Sequence, residues 1–266
     1  MNHNKTAAPG LPARDSFVSG WQDRLRLLDS VVSTQEEAKK LAEAGVPEGT
    51  AVRAEEQTGG RGRMGRKWHS PKGKGIWMSI VLRPDLPLAL TPQLTLLAGV
   101  AVCTAIREVT GVPAGIKWPN DLLAGGRKIC GILLESCLRE GGLHYAIAGI
   151  GISANLTPED YPDYLQEVGT SLLIEGGGIP VDRERLTRAV LTELEYLYCL
   201  YLDQGFRPVK QLWESMSVTL GRQISFNTPQ GRSEGKAVGL DENGGLQLQD
   251  EAGNITSILS GEIEMI

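Results

Sequence analysis

Glu55-Glu56-Gln57-Thr58-Gly59-Gly60-Arg61-Gly62-Arg63-Met64-Gly65-Arg66-Lys67-Trp68-His69-Ser70-Pro71 is the stretch around which the chain is organised. Thr50 to Ala54 before it and Ile76 to Leu82 after it both read as strands. Five glycines fall between Gly59 and Gly73, with Arg61, Arg63, Arg66 and Lys67 among them. A connection this long is functional or disordered. Glycines let backbone approach a ligand closely, and free amides and guanidinium forks suit phosphate oxygens. The loop therefore reads as one that orders over an anionic ligand. A flexible linker or a nucleic-acid contact is the competing reading.

Composition narrows the choice. The 266 residues carry a net charge of −5, so no global basic field favours nucleic acid. The length suits one large domain and a small one. Cys103, Cys130, Cys137 and Cys199 are widely spaced with no CxxC pair. That argues against a zinc site or disulfide scaffold and for a reduced, cytoplasmic compartment. No apolar run reads as long enough to span a bilayer, so no membrane partner is expected. Residues 1–20 lack a signal-peptide core and read as a flexible tail.

Residues 21–217 read as one catalytic α/β domain. Leu25 to Leu28 opens it as a strand. Ser33 or Thr34 then caps a helix, with Glu36 or Glu37 completing a capping box, and Gly45 ends it. Thr91 caps a buried helix with Pro92 in its first turn. Strands follow at Gly115, at Arg127 to Glu135 and at Leu143 to Ile152, the last two joined at Gly141-Gly142. Asp182 caps a long helix whose apolar face is Leu186, Val190, Leu194, Leu197 and Tyr201. From 218 to 266 short alternating runs separated by turns read as a small β-barrel.

Cations and a carboxylate recur beyond the loop. Lys117-Trp118-Pro119-Asn120-Asp121 supplies a lysine and an aspartate at a tight turn, and Arg127-Lys128 opens a strand. A nucleoside triphosphate with magnesium would use all three clusters, with Asp121 holding the hard metal. Each has a plain alternative: a surface ion pair for Lys117 and Asp121, a solvated lysine for Lys128, strand glycines for Gly149 and Gly151, and packing for Trp68 and Trp118. No cluster decides alone.

Their combination and order do. Ser33-Thr34-Gln35, the Gly/Arg loop, Lys117-Trp118-Pro119-Asn120-Asp121, Arg127 to Glu135 and Gly149-Ile150-Gly151-Ile152 together resemble the biotin protein ligases, from Leu25 to the C-terminus. The resemblance implies a mixed-sheet, class II synthetase-like catalytic domain followed by an SH3-like domain. It implies an ATP-dependent, AMP-forming ligase with two half-reactions. Biotin carboxylate attacks the α-phosphate of magnesium ATP, giving biotinyl-5′-AMP; a carrier-domain lysine then takes the biotinyl group.

It also implies roles. Ser33, Thr34, Gln57 and the Arg61 backbone meet the biotin head group, with Gln35, Gly62 and Gly131 beside them. Lys128 meets biotin carboxylate and α-phosphate, and Arg63 retains the adenylate. Lys117, Asn120 and Asp121 line the nucleotide and metal side, joined by Gly60, Arg66, Trp68, Gly149, Gly151 and Ser153. Arg63, Lys128, Lys117 and Asp121 form the catalytic set. Physics agrees: an uncharged ureido ring wants neutral hydrogen-bonding groups, and a pentacoordinate phosphorus wants fixed positive charge.

One departure stands out. Many family members carry Asn where Ser153 stands, and here Asn155 follows two residues later. The implied acceptor is the biotin carboxyl carrier domain of acetyl-CoA carboxylase, with pyruvate carboxylase as a second candidate and a homodimer left open. About 20 residues ahead of the first strand are too few for a helix-turn-helix domain, so no DNA is expected as partner. A lipoate ligase of the same superfamily is the nearest rival. A nucleic-acid-binding module is the rival from another class.

Overall fold

The computed structural model describes residues 13–139, 142–228 and 231–266. Seven strands form the larger sheet: β1 (Leu25–Val31), β2 (Ala51–Gln57), β3 (Ile76–Leu82), β4 (Gly115–Lys117), β5 (Asp121–Ala124), β6 (Arg127–Arg139) and β7 (Gly142–Ile152). Their order is β1-β2-β3-β7-β6-β5-β4. β1 is parallel to β2, and every other pairing is antiparallel, which makes the sheet mixed as expected. Ile80 pairs with both Ala51 and Ala148. All seven residues of β3 are buried. This explains why its residues are apolar on both faces, Ser79 apart, since a strand covered on both faces need not alternate. Arg139 pairs with Gly142 at the β6–β7 connection; Gly141 of the expected turn lies outside the described residues.

Helix α1 (Thr34–Glu43) covers one face of this sheet. Ala38 and Ala42 pack on Val52, Val81, Tyr145 and Ile147. Its cap is Ser33, whose hydroxyl accepts the Gln35 N–H at 3.3 Å. The expected capping box does not form, because Glu37 turns to Lys40 and Glu36 to Arg61.

On the opposite face lies α2 (Thr91–Thr110). Thr91 does not cap it. A 3-10 turn, Leu88–Leu90, runs into the helix, and the Thr91 hydroxyl donates back to the Leu88 carbonyl at 2.9 Å. Gly111 ends α2 in the left-handed region at φ 72°. Contrary to the sequence reading, Leu88–Thr110 is long and apolar enough to cross a membrane. However, 67% of its most apolar stretch is buried, so it serves here as the core helix.

The polar segment after β7 holds two short helices that its prolines hid, α3 (Asp163–Gln166) and α4 (Leu172–Glu175). Then come α5 (Arg183–Gln204), capped by Asp182 accepting the Arg185 N–H at 3.0 Å, and α6 (Arg207–Met216) with Trp213 fully buried. Residues 13–20, read from sequence as tail, lie along α5. Arg14 pairs with Glu193 and Glu108, and the Ser19 hydroxyl donates to Glu195 at 2.5 Å.

The C-terminal sheet contains β8 (Gln223–Thr228), β9 (Gly231–Leu240), β10 (Leu246–Gln249), β11 (Ile255–Ile258) and β12 (Ile263–Met265). Its order is β11-β10-β9-β8-β12, antiparallel throughout. Among the described residues no ladder joins β11 to β12, so the sheet is open rather than the closed barrel expected. β12, three residues long, has no signal in the sequence pattern.

This sheet is seated firmly. The Trp118 indole N–H donates to the Gly244 carbonyl at 3.3 Å, the Trp118 amide to the Thr219 hydroxyl at 3.0 Å, and Gln93 to the Glu242 carbonyl at 2.8 Å. Ile224, Ala237, Leu240 and Leu246 join the same apolar cluster as α2 and α5. Trp118 is therefore a packing residue. Cys103 and Cys130 are buried core thiols, while Cys137 and Cys199 are half-buried; all four are free.

Candidate active site

A cavity of about 800 Å³ opens between the sheet, the glycine-rich loop and the C-terminal sheet. It lies within the size range of small-molecule sites. Its chemistry is divided along its length.

One end is neutral. The helix start at Ser33 points Thr34 at the sheet, so that the Thr34 amide and hydroxyl both donate to Gln57 Oε1, at 2.8 and 3.0 Å. The hydroxyls of Thr34 and Ser79 are 2.8 Å apart, and Gln57 Nε2 donates to Ser70 Oγ at 2.9 Å. These contacts fix the orientation of the Gln57 amide. Gln35 sends its Nε2 to Glu135 at 3.0 Å, while its buried Oε1 has no partner among the described residues and presses on Gly149.

The middle is charged. Lys128 Nζ lies 2.6 Å from Asp121 Oδ1 and 5.2 Å above the Trp68 ring centre. β5 and β6 bring this pair together: Asp121 opens one strand opposite Gly131, and Lys128, second in the next, pairs with Leu123 two residues along from Asp121. Arg63 donates to Asn120 Oδ1 at 2.8 Å and to the Gly261 carbonyl at 3.3 Å. Asn120 is itself held by the Ile132 carbonyl at 2.9 Å. Lys117 lines the same space and has no ion-pair partner among the described residues.

The loop is ordered as a small hairpin. The Trp68 amide donates to the Gly60 carbonyl at 2.9 Å and the Gly62 amide to the Arg66 carbonyl at 2.7 Å, with a bridge between Arg61 and Lys67. A side chain at Gly60 would strike the Trp68 carbonyl at 2.6 Å. Arg61 turns toward Glu36 at 3.6 Å and Arg66 to Glu262 at 2.6 Å. Gly151 was placed on the nucleotide side. In this structure the close approach is made by Trp68, whose indole nitrogen lies 2.3 Å from where a Gly151 Cβ would stand; Gly131 faces the same ring. Trp68 thus forms part of the site wall.

No group of three His, Cys, Asp or Glu side chains suited to a metal occurs among the described residues. The donor set at Asp121 is one carboxylate beside several cations. That suits Mg²⁺ carried on a triphosphate, where phosphate oxygens and water complete the shell, rather than a resident ion.

Residues 27–153 match the model of the Biotin/lipoate A/B protein ligase family, and residues 219–265 match that of the Biotin protein ligase C terminal domain. The bifunctional ligase/repressor BirA of Bacillus subtilis is 46% identical over 237 residues, covering 89% of this chain and 72% of that protein. The biotin–[acetyl-CoA-carboxylase] ligase of Mycobacterium tuberculosis is 32% identical over 94% of this chain and 92% of its own length. The chain belongs to the biotin protein ligases. The Aquifex aeolicus biotin protein ligase solved with biotin and ATP superposes with a TM-score of 0.78, at 36% identity, over 91% of this chain and 98% of that one.

Of the ligase residues expected from sequence, Ser33, Thr34, Gln35, Gln57, Arg61, Gly62, Arg63, Arg66, Trp68, Lys117, Asn120, Asp121, Lys128, Gly131, Gly149, Gly151 and Ser153 all border the one cavity; Gly60 supports it from behind. Four contributors were missed. Ser79 sits in an apolar strand and reads as core. Tyr161 falls in a proline-bounded loop. Gly261 and Glu262 arrive from the far end of the chain, and nothing local in the sequence marks them.

Proposed function

We infer that this chain joins biotin to a specific lysine of biotin carboxyl carrier domains at the expense of ATP. The observation that carries this reading is one cavity with a neutral Ser33–Thr34–Gln57 end and a cationic Lys128–Arg63–Lys117 middle. An uncharged cyclic urea fits the first and an acyl phosphate the second. The resemblance to biotin ligases extends through both sheets.

In the first half-reaction a biotin carboxylate oxygen bonds to the α-phosphorus, and the bond from that phosphorus to pyrophosphate breaks. Biotin brings its own nucleophile, so no side chain attacks. Lys128 leaves Asp121 to neutralise the carboxylate and the α-phosphate. Lys117 and Asn120 hold the phosphates, and Arg63 moves from Asn120 to the finished adenylate. Mg²⁺, where bound, would sit at Asp121 and offset phosphate charge. In the second half-reaction a carrier lysine amine attacks the acyl carbon, AMP leaves, and the amine proton passes to solvent.

The finer readings are proposals of the same kind. The acceptor is the carrier domain of acetyl-CoA carboxylase, with pyruvate carboxylase second; the compartment is the cytoplasm; and a homodimer is the oligomer to look for. The test is incubation with labelled biotin, ATP, magnesium and a carrier domain. Label on the carrier lysine, lost when ATP is withheld, is the expected result. Label from lipoate in place of biotin would overturn the reading.

A further inference from the structure

Arg127 and Lys128 are adjacent cations at the start of β6, and of the two Lys128 alone borders the cavity. Successive strand residues point to opposite faces, so the setting of this strand end decides which cation serves the reaction. Arg127 turns away from the cavity to Glu175, the last residue of α4, donating from Nη2 to Oε1 at 2.8 Å. The same carboxylate oxygen accepts the Thr170 hydroxyl at 2.7 Å. The Glu175 side chain is 16% exposed and Thr170 is fully buried, so water competes weakly for these bonds.

The two arms of Glu175 flank Lys128. The Lys128 amide donates to the Val168 carbonyl at 2.9 Å, and its carbonyl accepts the Thr170 amide at 2.9 Å, a bridge centred on Gly169. Glu175 therefore grips the residue before Lys128 with one arm and the segment paired with Lys128 by the other. Its own place is fixed. The Leu172 amide donates to the Ser153 carbonyl at 2.9 Å and the Leu173 amide to the Ala154 carbonyl at 2.8 Å, which ties α4 to the chain leaving β7. The β5–β6 turn also closes against the carboxylate. Gly125 adopts φ 56°, and a Cβ there would meet Glu175 Oε2 at 2.5 Å, so the turn needs glycine for conformation and for space.

A lysine reaches its target on a long flexible stem, so its charge is delivered reproducibly when the backbone beneath it is held. We propose that Glu175 is a positioning residue for Lys128: through Arg127 and Thr170 it sets the strand end so that the lysine, and not the neighbouring arginine, faces the cavity. The assignment rests on the ligase reading above. It concerns a side chain that does not border the cavity and so touches neither biotin nor nucleotide.

The test measures biotin-dependent ATP–pyrophosphate exchange in the full-length chain, in Glu175→Ala and in Arg127→Gln. Misplacing a catalytic group acts on the chemical step. Glu175→Ala should lower kcat about tenfold or more, with KM for biotin and for ATP within about twofold. Arg127→Gln breaks one arm at a part-exposed side chain, so it carries the test even if Glu175→Ala fails to fold; kcat should fall about threefold with the same KM pattern. Each substitution is then repeated on Lys128→Ala, with enzyme in excess so that the slow rate stays measurable. There it should cost less than about twofold, because its effect passes through the lysine. Unchanged kcat in both variants would overturn the assignment. So would losses of equal size with and without Lys128, which would mark Glu175 as a general support of the fold. An unsubstituted chain without biotin-dependent exchange would sink the ligase reading instead.

Discussion

Arg66, at the tip of the glycine-rich loop, meets Glu262 in the β11–β12 turn at 2.6 Å, across 196 residues of sequence. Three residues earlier, Arg63 reaches the neighbouring Gly261 carbonyl. The C-terminal sheet thereby holds the loop in place over the cavity. Both partners of the ion pair are largely exposed, at 66% and 48%, so the pair contributes little to global stability. Glu262→Gln should shift Tm by no more than about 3 °C. Amide exchange over residues 62–67 should nevertheless accelerate several-fold, and salt should do the same to the unsubstituted chain. Unchanged protection in that segment would mean that the contact does not restrain the loop.

Lys128 sits where a carboxylate and an α-phosphate would meet, paired meanwhile with Asp121. Lys128→Ala removes the charge and leaves Asp121 without its counter-ion, but no apolar core is disturbed. The variant should fold normally and lose about 3–4 kcal/mol of transition-state stabilisation in adenylation, roughly two to three orders of magnitude in rate. Biotinyl-AMP formation followed by quench gives the answer. A variant within tenfold of the original would mean that phosphate charge is neutralised elsewhere.

The fold was legible where signals are local. β3 appears at its predicted limits because a strand buried on both faces is apolar on both, Ser79 apart, and α5 starts after Asp182 because that cap satisfies an orphan amide. Thr91 misled because a preceding 3-10 turn supplied the helix entry that a capping side chain would otherwise supply. Within the site, Thr34 and Gln57 could be named from motif order. Their partner Ser79 could not, since one serine in an apolar strand carries no spacing signal. Tyr161 was hidden for another reason: its proline-bounded loop gives no periodic signal, and its place in the wall is set by packing against Trp77 and Leu156.

Asp160 offers a pH test. It accepts the Thr157 amide at 2.7 Å and pairs with Lys74 at 2.9 Å. Burial works to raise its pKa, but the Thr157 amide and Lys74 outweigh burial and hold the carboxyl below its ordinary value of 3.8. A depressed folded pKa contributes stability above the unfolded pKa, and that contribution is lost as pH falls through the folded one. Asp160→Asn should therefore cost about 1–2 kcal/mol at neutral pH. The Tm gap between the two chains should be flat from about pH 8 to pH 5, begin to narrow below about pH 4, and close as pH falls through the lower folded pKa. A gap that does not narrow at all as pH falls below about 4 would assign the loss to packing rather than to charge.

Arg63 separates making the adenylate from keeping it. In this structure its guanidinium is spent on Asn120 and the Gly261 carbonyl, both neutral acceptors, so a phosphate can draw it away without breaking an ion pair. Arg63→Gly removes a two-pronged phosphate contact and loosens the loop backbone. Lys128 and Lys117 remain, so biotinyl-AMP should still form, within about tenfold of the original rate if Arg63 contributes no more than about 1.4 kcal/mol to that step. The intermediate should then escape early. A mixed anhydride in solution acylates exposed amines, so lysines of an unrelated bystander such as albumin should become labelled in proportion to time and enzyme. Two results would refute this division of labour: adenylation abolished outright, or label still confined to the carrier domain. A loop arginine with no ligand would leave both rate and selectivity where they were.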